Sequence, residues 1–234
     1  MKSFKITNYF TKAEIILYLS SLTLITLAFL IFDRSNYLSL LASLVGATSL
    51  IFCSKGNPIG EGLIIVFSLL YAYISYSYAY YGEMITYLGM SAPMAVFALV
   101  SWLKNPYDGK KSEVRVNKIS KKEVIFLVLL TALVTLVFYF VLDFLGTSNL
   151  LISTVSVTTS FFAVYLTARR SAYYALAYAF NDLVLIILWI MATVDNVSYV
   201  SVIVCFVAFL LNDLYGFYNW RRMERRQNAA SIPD

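Results

Sequence analysis

The alternation of apolar and polar stretches divides the chain into eight apolar runs, at 14–32, 37–53, 58–81, 84–103, 123–142, 150–168, 172–194 and 199–220. Each is near the ~20 residues that carry a helix across a bilayer. None alternates strictly between apolar and polar residues over ten positions, as the strands of a membrane barrel do, so the pattern predicts helices. Pro58 suits the first turn of the third helix, where its missing N–H would have no partner in any case. Pro93 lies inside the fourth and predicts a kink. Composition supports the reading, with 60% hydrophobic and 13% charged residues against ~45–50% and ~25% in soluble domains. The predicted fold class is therefore an all-α integral membrane protein of eight transmembrane helices, with 1–234 forming one domain.

Charge then orients the helices. With the amino terminus in the cytoplasm and all eight runs spanning, 17 of the 18 basic residues fall on the cytoplasmic side and only Arg34 lies outside. The outer connections carry Asp33, Glu83, Asp143 and Asp195 instead, which satisfies the positive-inside rule at every loop and predicts cytoplasmic termini. The basic 1–12 segment ahead of an apolar run resembles a secretory signal. That run is long for a signal core, however, and is followed by Asp33-Arg34 without a small-residue cleavage site, so the first helix is expected to stay. The polar stretch 105–122 reads as a solvated topology determinant lying near anionic lipid, since it lacks aromatic interleaving. The tail from Met223 reads as a frayed end, and Cys53 and Cys205, inside apolar runs, as buried inert thiols.

One internal match stands out: VGATSLIF at 45–52 against VSVTTSFF at 155–162, an offset of 110 residues. In addition, SWLK around Trp102 and NWRR around Trp220 end the third helix of each half. Parallel repeats of three spans need an odd linker helix, and 123–142 supplies it. The expected architecture is one extra helix at 14–32, a repeat at 37–103, the linker, and a repeat at 150–220, with a binding site at the repeat interface near the midplane.

No nucleophile and base pair, metal-ligand cluster or phosphate-cradling glycine loop occurs, so the sequence predicts no enzyme, no cofactor and no metal. The membrane interior does carry hydrogen-bonding and stacking groups. Tyr174, Tyr178, Asn181, Asp182 and Trp189 lie in the seventh run, and Asn212, Asp213 and Asn219 in the eighth. Tyr71 lies in the third run with Ser68, Ser75 and Tyr78 at helical spacing, and Glu61 stands at the start of that run, suited to the helix dipole. Thr154, Thr158 and Thr159 read as close-packing residues, Tyr76, Tyr80 and Tyr81 as an interfacial belt, and Asp182 and Asp213 as either ligand groups or struts between helices. Aromatic walls with amide donors suit a flat polar ring with hydroxylated substituents.

The eight-span plan, the TTS segment at 158–160 before Arg169-Arg170, the Asn181-Asp182 pair and the closing GFYNWRR at 216–222 resemble the PnuC-type vitamin transporters of bacteria, which carry nicotinamide riboside. The resemblance implies a fold similar to the SWEET sugar transporters, a homotrimer in the inner membrane, and facilitated diffusion of a nucleoside-like vitamin trapped by a cytoplasmic kinase. It implies no nucleic-acid partner. Nicotinamide riboside members carry WxxW before the polar pair, where this chain has SAYYALAYAF. The substrate implied therefore remains nicotinamide riboside, thiamine, riboflavin or a deoxynucleoside. Tyr174, Tyr178 and Trp189 are expected to stack on the base, and Asn181, Asn212 and Asn219 to bond ribose or amide. A proton-coupled carrier titrating Asp182 or Asp213 is the alternative.

Overall fold

The computed structural model describes residues 9–77, 81–147, 149–194 and 196–230. Tyr78, Tyr80 and Asp195, and the side chain of Tyr81, lie outside that description. Eight helical segments among the described residues are long and apolar enough to cross a membrane. They comprise α1 (Lys12–Phe32), α2 (Tyr37–Ser54), α3 (Ile59–Ser77), a composite fourth span, α6 (Lys121–Phe144), α7 (Leu150–Ala168), α8 (Tyr174–Ala192) and α9 (Val200–Ala229). The fourth span joins α4 (Tyr81–Thr86), a π-helical segment Tyr87–Ser91 and α5 (Ala92–Lys104). Pro93 explains the irregularity: its nitrogen cannot donate, and the wider turn shifts the Ala92 N–H onto the carbonyl of Tyr87. Large apolar side chains such as Phe97, Leu129 and Phe140 point outward, as expected where lipid is the solvent.

Helices α2, α3 and α5 form one group, and α7, α8 and α9 another. The third member of each packs on the first member of the other, α9 on α2 and α5 on α7. Helix α6 packs along α7, while α1 packs against α9 and α2. Close approach of α2 and α3 depends on Gly60, where a Cβ would stand 2.4 Å from the Cys53 sulfur and 2.6 Å from its backbone nitrogen.

The basic side of the bundle is more ordered than its polarity suggests. Residues Pro106–Tyr107 (β1) and Lys110–Val114 (β2) form an antiparallel hairpin, and Val114 is completely buried. Backbone bonds fasten this segment to both groups: Val114 N–H donates to Gly56 O and Asn117 N–H to Arg170 O, each at 2.9 Å. The stretch expected to be solvated is thus a clasp whose apolar positions, Val114, Val116 and Ile119, pack inward. The frayed tail is corrected too. Helix α9 runs on to Ala229, burying Met223 and Gln227, and the Gln227 amide bonds the Val116 N–H and the Val114 carbonyl at 2.8 and 3.1 Å.

The two tryptophans close the same side. Trp102 Nε1 donates to Thr167 O at 2.9 Å, Trp220 Nε1 donates to Cys53 O at 2.8 Å, and their rings lie 5.2 Å apart. Each end-of-helix tryptophan therefore bonds the first helix of the opposite group. Cys53 and Thr167 begin equivalent caps: Gly56 and Arg170 both take positive φ, and both donate back to those carbonyls at 2.9 Å. These caps stand 114 residues apart, one helical turn from the 110 of the sequence match, a slip that leaves the facing surface nearly unchanged.

Candidate functional site

A central cavity lies between the two groups. Helix α3 contributes Glu61 and Ser68, the fourth span Glu83 and Tyr87, α8 Tyr174, Tyr178, Asn181 and Asp182, and α9 Asp213. Hydroxyls from Ser153, Ser156 and Ser160 on α7 face the same space. Among the described residues, four carboxyl groups and no lysine or arginine line it.

Asn181 is held by two donors, Thr159 Oγ1 at 2.8 Å and Ser160 Oγ at 2.9 Å, both to its Oδ1. With the acceptor end occupied, the side-chain NH2 is left to the cavity. Asp182 of α8 and Asp213 of α9 lie close enough to interact within the cavity. Among the described residues, Asp182 Oδ2 and Ser68 Oγ are buried without a partner, and both belong to residues that line the cavity. Buried polar atoms left open in this way call for a ligand or water. Glu61 accepts a 3.4 Å contact from the Cys53 thiol. Toward the basic side, Tyr174 forms the floor, its ring 4.8 Å from Trp220 and 6.2 Å from Trp102.

Of the residues expected to bind substrate, the structure brings Tyr174, Tyr178, Asn181 and Asp182 together in this cavity. The others lie elsewhere. Trp189 shares a helical face with Tyr178 and Asp182 but stands about 10 Å beyond Asp182 along α8. There it packs on Tyr199 at 5.1 Å in a vestibule on the side opposite the basic one. Tyr71 lines that vestibule too, stacked between Phe67 and Tyr87 at 4.7 and 5.2 Å. Asn212 turns away to α1, donating to Ser21 Oγ at 2.8 Å, and Asn219 donates to Ser54 O at 2.8 Å on the basic side. The face of α9 that carries both asparagines packs against α1 and α2. The next residue round the helix, Asp213, is the one that reaches the cavity.

Glu83 was missed as a site residue because polar flanks place it in a connection. The π segment after it draws the fourth span inward, so Glu83 borders both the cavity and the vestibule. Glu61 carried a legible signal, an acid at the start of an apolar run, which the helix dipole explained without need of a ligand.

The family of nicotinamide mononucleotide transporters matches residues 36–222. A nicotinamide riboside transporter PnuC of Neisseria mucosa is 26% identical over 204 residues, covering 85% of this chain and 77% of its own. One from Haemophilus influenzae is 24% identical over 194 residues, covering 82% and 83%. A crystal structure of the vitamin B3 transporter PnuC superposes with a TM-score of 0.80 over 93% of this chain and 94% of the other, at 24% identity, and shares the fold. The chain belongs to the nicotinamide mononucleotide transporter family, the PnuC transporters, and is a multi-pass membrane transporter rather than an enzyme.

Proposed function

We propose that the chain is a uniporter that carries nicotinamide riboside, or a related nucleoside-like vitamin, by facilitated diffusion through the central cavity. The observation that carries this reading is the lining of the cavity, four carboxyls with no basic side chain among the described residues. A pyridinium nucleoside brings a positive ring that such a lining attracts, whereas the phosphate of a mononucleotide would meet like charge in a site of low dielectric. Tyr174 and Tyr178 offer faces to the ring, and the Asn181 NH2 donates to an amide or ribose oxygen. Isothermal titration of the purified protein should show binding of nicotinamide riboside and none of nicotinamide mononucleotide; tighter binding of the mononucleotide would overturn the reading.

The same proposal holds that two three-helix repeats flank the site, that both termini face the cytoplasm of a bacterial inner membrane, and that a kinase traps the substrate. Reciprocal packing of α9 on α2 and α5 on α7 supports the repeats. Uptake into liposomes should equilibrate without an ion gradient. The homotrimer that the resemblance implies is tested by the mass of the protein in detergent by light scattering.

The pairing of two carboxyls, Asp182 and Asp213, inside the cavity favours a second reading, proton coupling. Uptake driven by a pH gradient and lost in Asp182→Asn would establish it, and gradient-independent equilibration would exclude it.

A further inference from the structure

Helices α6 and α8 both pack along α7 and leave between them a groove that opens to the lipid. Its floor is Thr159, Phe162 and Leu166 of α7, and its walls include Val124 and Leu127 on one side and Leu176 and Phe180 on the other. Phe180 is 59% exposed and Val124 44%, so these apolar side chains face the bilayer rather than a protein neighbour within the chain. From Leu166 to Thr158 the groove runs about 12 Å along α7, close to the ~15 Å that one leaflet contributes to the hydrocarbon core. It ends at mid-membrane, on the Thr158 and Thr159 hydroxyls, both already hydrogen-bonded within the protein.

The mouth of the groove has different chemistry. Lys118 and Arg221 border it, with Glu224 as the acidic neighbour that Arg221 pairs with. The Arg221 guanidinium is held over the Tyr173 ring at 4.8 Å, and the next turn adds Lys121 and Lys122, both exposed. An apolar channel one leaflet deep under a rim of net positive charge matches a lipid tail below an anionic headgroup.

We propose that this groove is a binding site for an anionic phospholipid of the leaflet on the basic side, with one acyl chain lying between α6 and α8 and the phosphate at Lys118 and Arg221. The site shares a wall with the transport cavity. Thr159, on its floor, donates to Asn181 at 2.8 Å, so a lipid that fills the groove supports the residue presented to the cavity on the other side. The proposal stands independently of which substrate is carried.

The test uses the full-length protein in detergent, with phosphatidylglycerol and phosphatidylcholine of equal chain length, read by native mass spectrometry and thermal unfolding. Phosphatidylglycerol should be retained and should raise Tm more than phosphatidylcholine. Lys118→Ala, at an exposed position, should weaken phosphatidylglycerol binding about fivefold, the Boltzmann factor of one basic residue at an anionic surface. Ala177→Trp, which fills the groove without touching its rim, should abolish the difference between the two lipids. Equal effects of both lipids on the wild-type protein overturn the proposal, as does retention of phosphatidylglycerol undiminished in both variants. A change of oligomeric mass in Ala177→Trp with no lipid effect also overturns it, and identifies a second copy of the chain as the occupant.

Discussion

Replacing Asn181 by alanine separates a binding role from a structural one, because the two roles lie at opposite ends of the side chain. Its Oδ1 accepts from Thr159 and Ser160, while its NH2 faces the cavity. On the structural side the loss is small: the one proton of the Thr159 hydroxyl can turn to the carbonyl of Val155 or Ser156, each 3.0 Å away, so only the Ser160 hydroxyl is left without its partner. A single neutral hydrogen bond of that kind contributes about 1 kcal/mol, which for a chain of this length lowers Tm by about 2–4 °C. On the binding side, removing a donor that a substrate oxygen was desolvated to meet costs about 1–2 kcal/mol, or about five- to thirtyfold in Kd. Titration calorimetry and a thermal melt on the same preparation measure both. A fall of 10 °C with unchanged Kd would refute the assignment and return Asn181 to a purely structural place between α7 and α8.

Glu83→Gln keeps the size and removes the charge. A full carboxylate charge ~8 Å from a cation at an effective dielectric of about 20 attracts it by about 2 kcal/mol, so affinity for nicotinamide riboside should fall by up to about thirtyfold while a neutral nucleoside is unaffected; equal losses for both would defeat the electrostatic account. Gly60→Ala places a methyl 2.4 Å from the Cys53 sulfur and against its backbone, and should cost about 1–3 kcal/mol of overpacking, read as a drop in Tm by scanning fluorimetry. Trp220→Phe loses the bond to Cys53 O and leaves unfilled part of the indole's fully buried volume, for a cost above the ~1 kcal/mol of the bond alone. The double variant with Trp102→Phe should deviate from additivity because the rings touch at 5.2 Å, and strict additivity in denaturant melts would count against a shared latch.

The spans were legible because the bilayer imposes a length and a polarity that no packing detail can override: 37–53, 150–168 and 123–142 were each read within a few residues of the helices α2, α7 and α6. Part of the site was legible for a related reason. Asn181 and Asp182 are expensive at membrane depth, and such residues turn toward one another or toward a cavity. The direction in which a polar face turns was not legible. Asn212 and Asn219 follow the same rule as Asn181, yet their face of α9 meets Ser21 and Ser54, because α1 and α2 pack there. Helical periodicity gives the angle between Asn212 and Asp213 but not which of them meets the neighbouring helix. Depth was lost in the same way, since Trp189 has the right angle and the wrong height. The clasp at 105–120 escaped notice because one buried valine among charged residues gives no periodic signal, and its hold comes from backbone bonds and from Gln227, more than a hundred residues away.

These placements bear on how the transporter alternates. On the basic side the cavity ends at Tyr174, behind which Trp102 and Trp220 are completely buried, each bonded to the opposite group. On the other side Glu83 borders both cavity and vestibule, so the described conformation is sealed by aromatics at one end and passes a carboxyl at the other. Because α9 rests on α2 and α5 on α7, parting the two groups on the basic side breaks both tryptophan bonds in one motion. At about 1 kcal/mol each, together with the contact between the rings, the seal amounts to a few kcal/mol, within reach of the differential affinity of one bound ligand. Tyr174 touches the cavity and both tryptophans at once, so a substrate ring resting on it bears directly on that seal. In the reading proposed above, the carboxyls over this floor draw the cation in, while the floor itself, apolar and close-packed, has to move for the cation to pass.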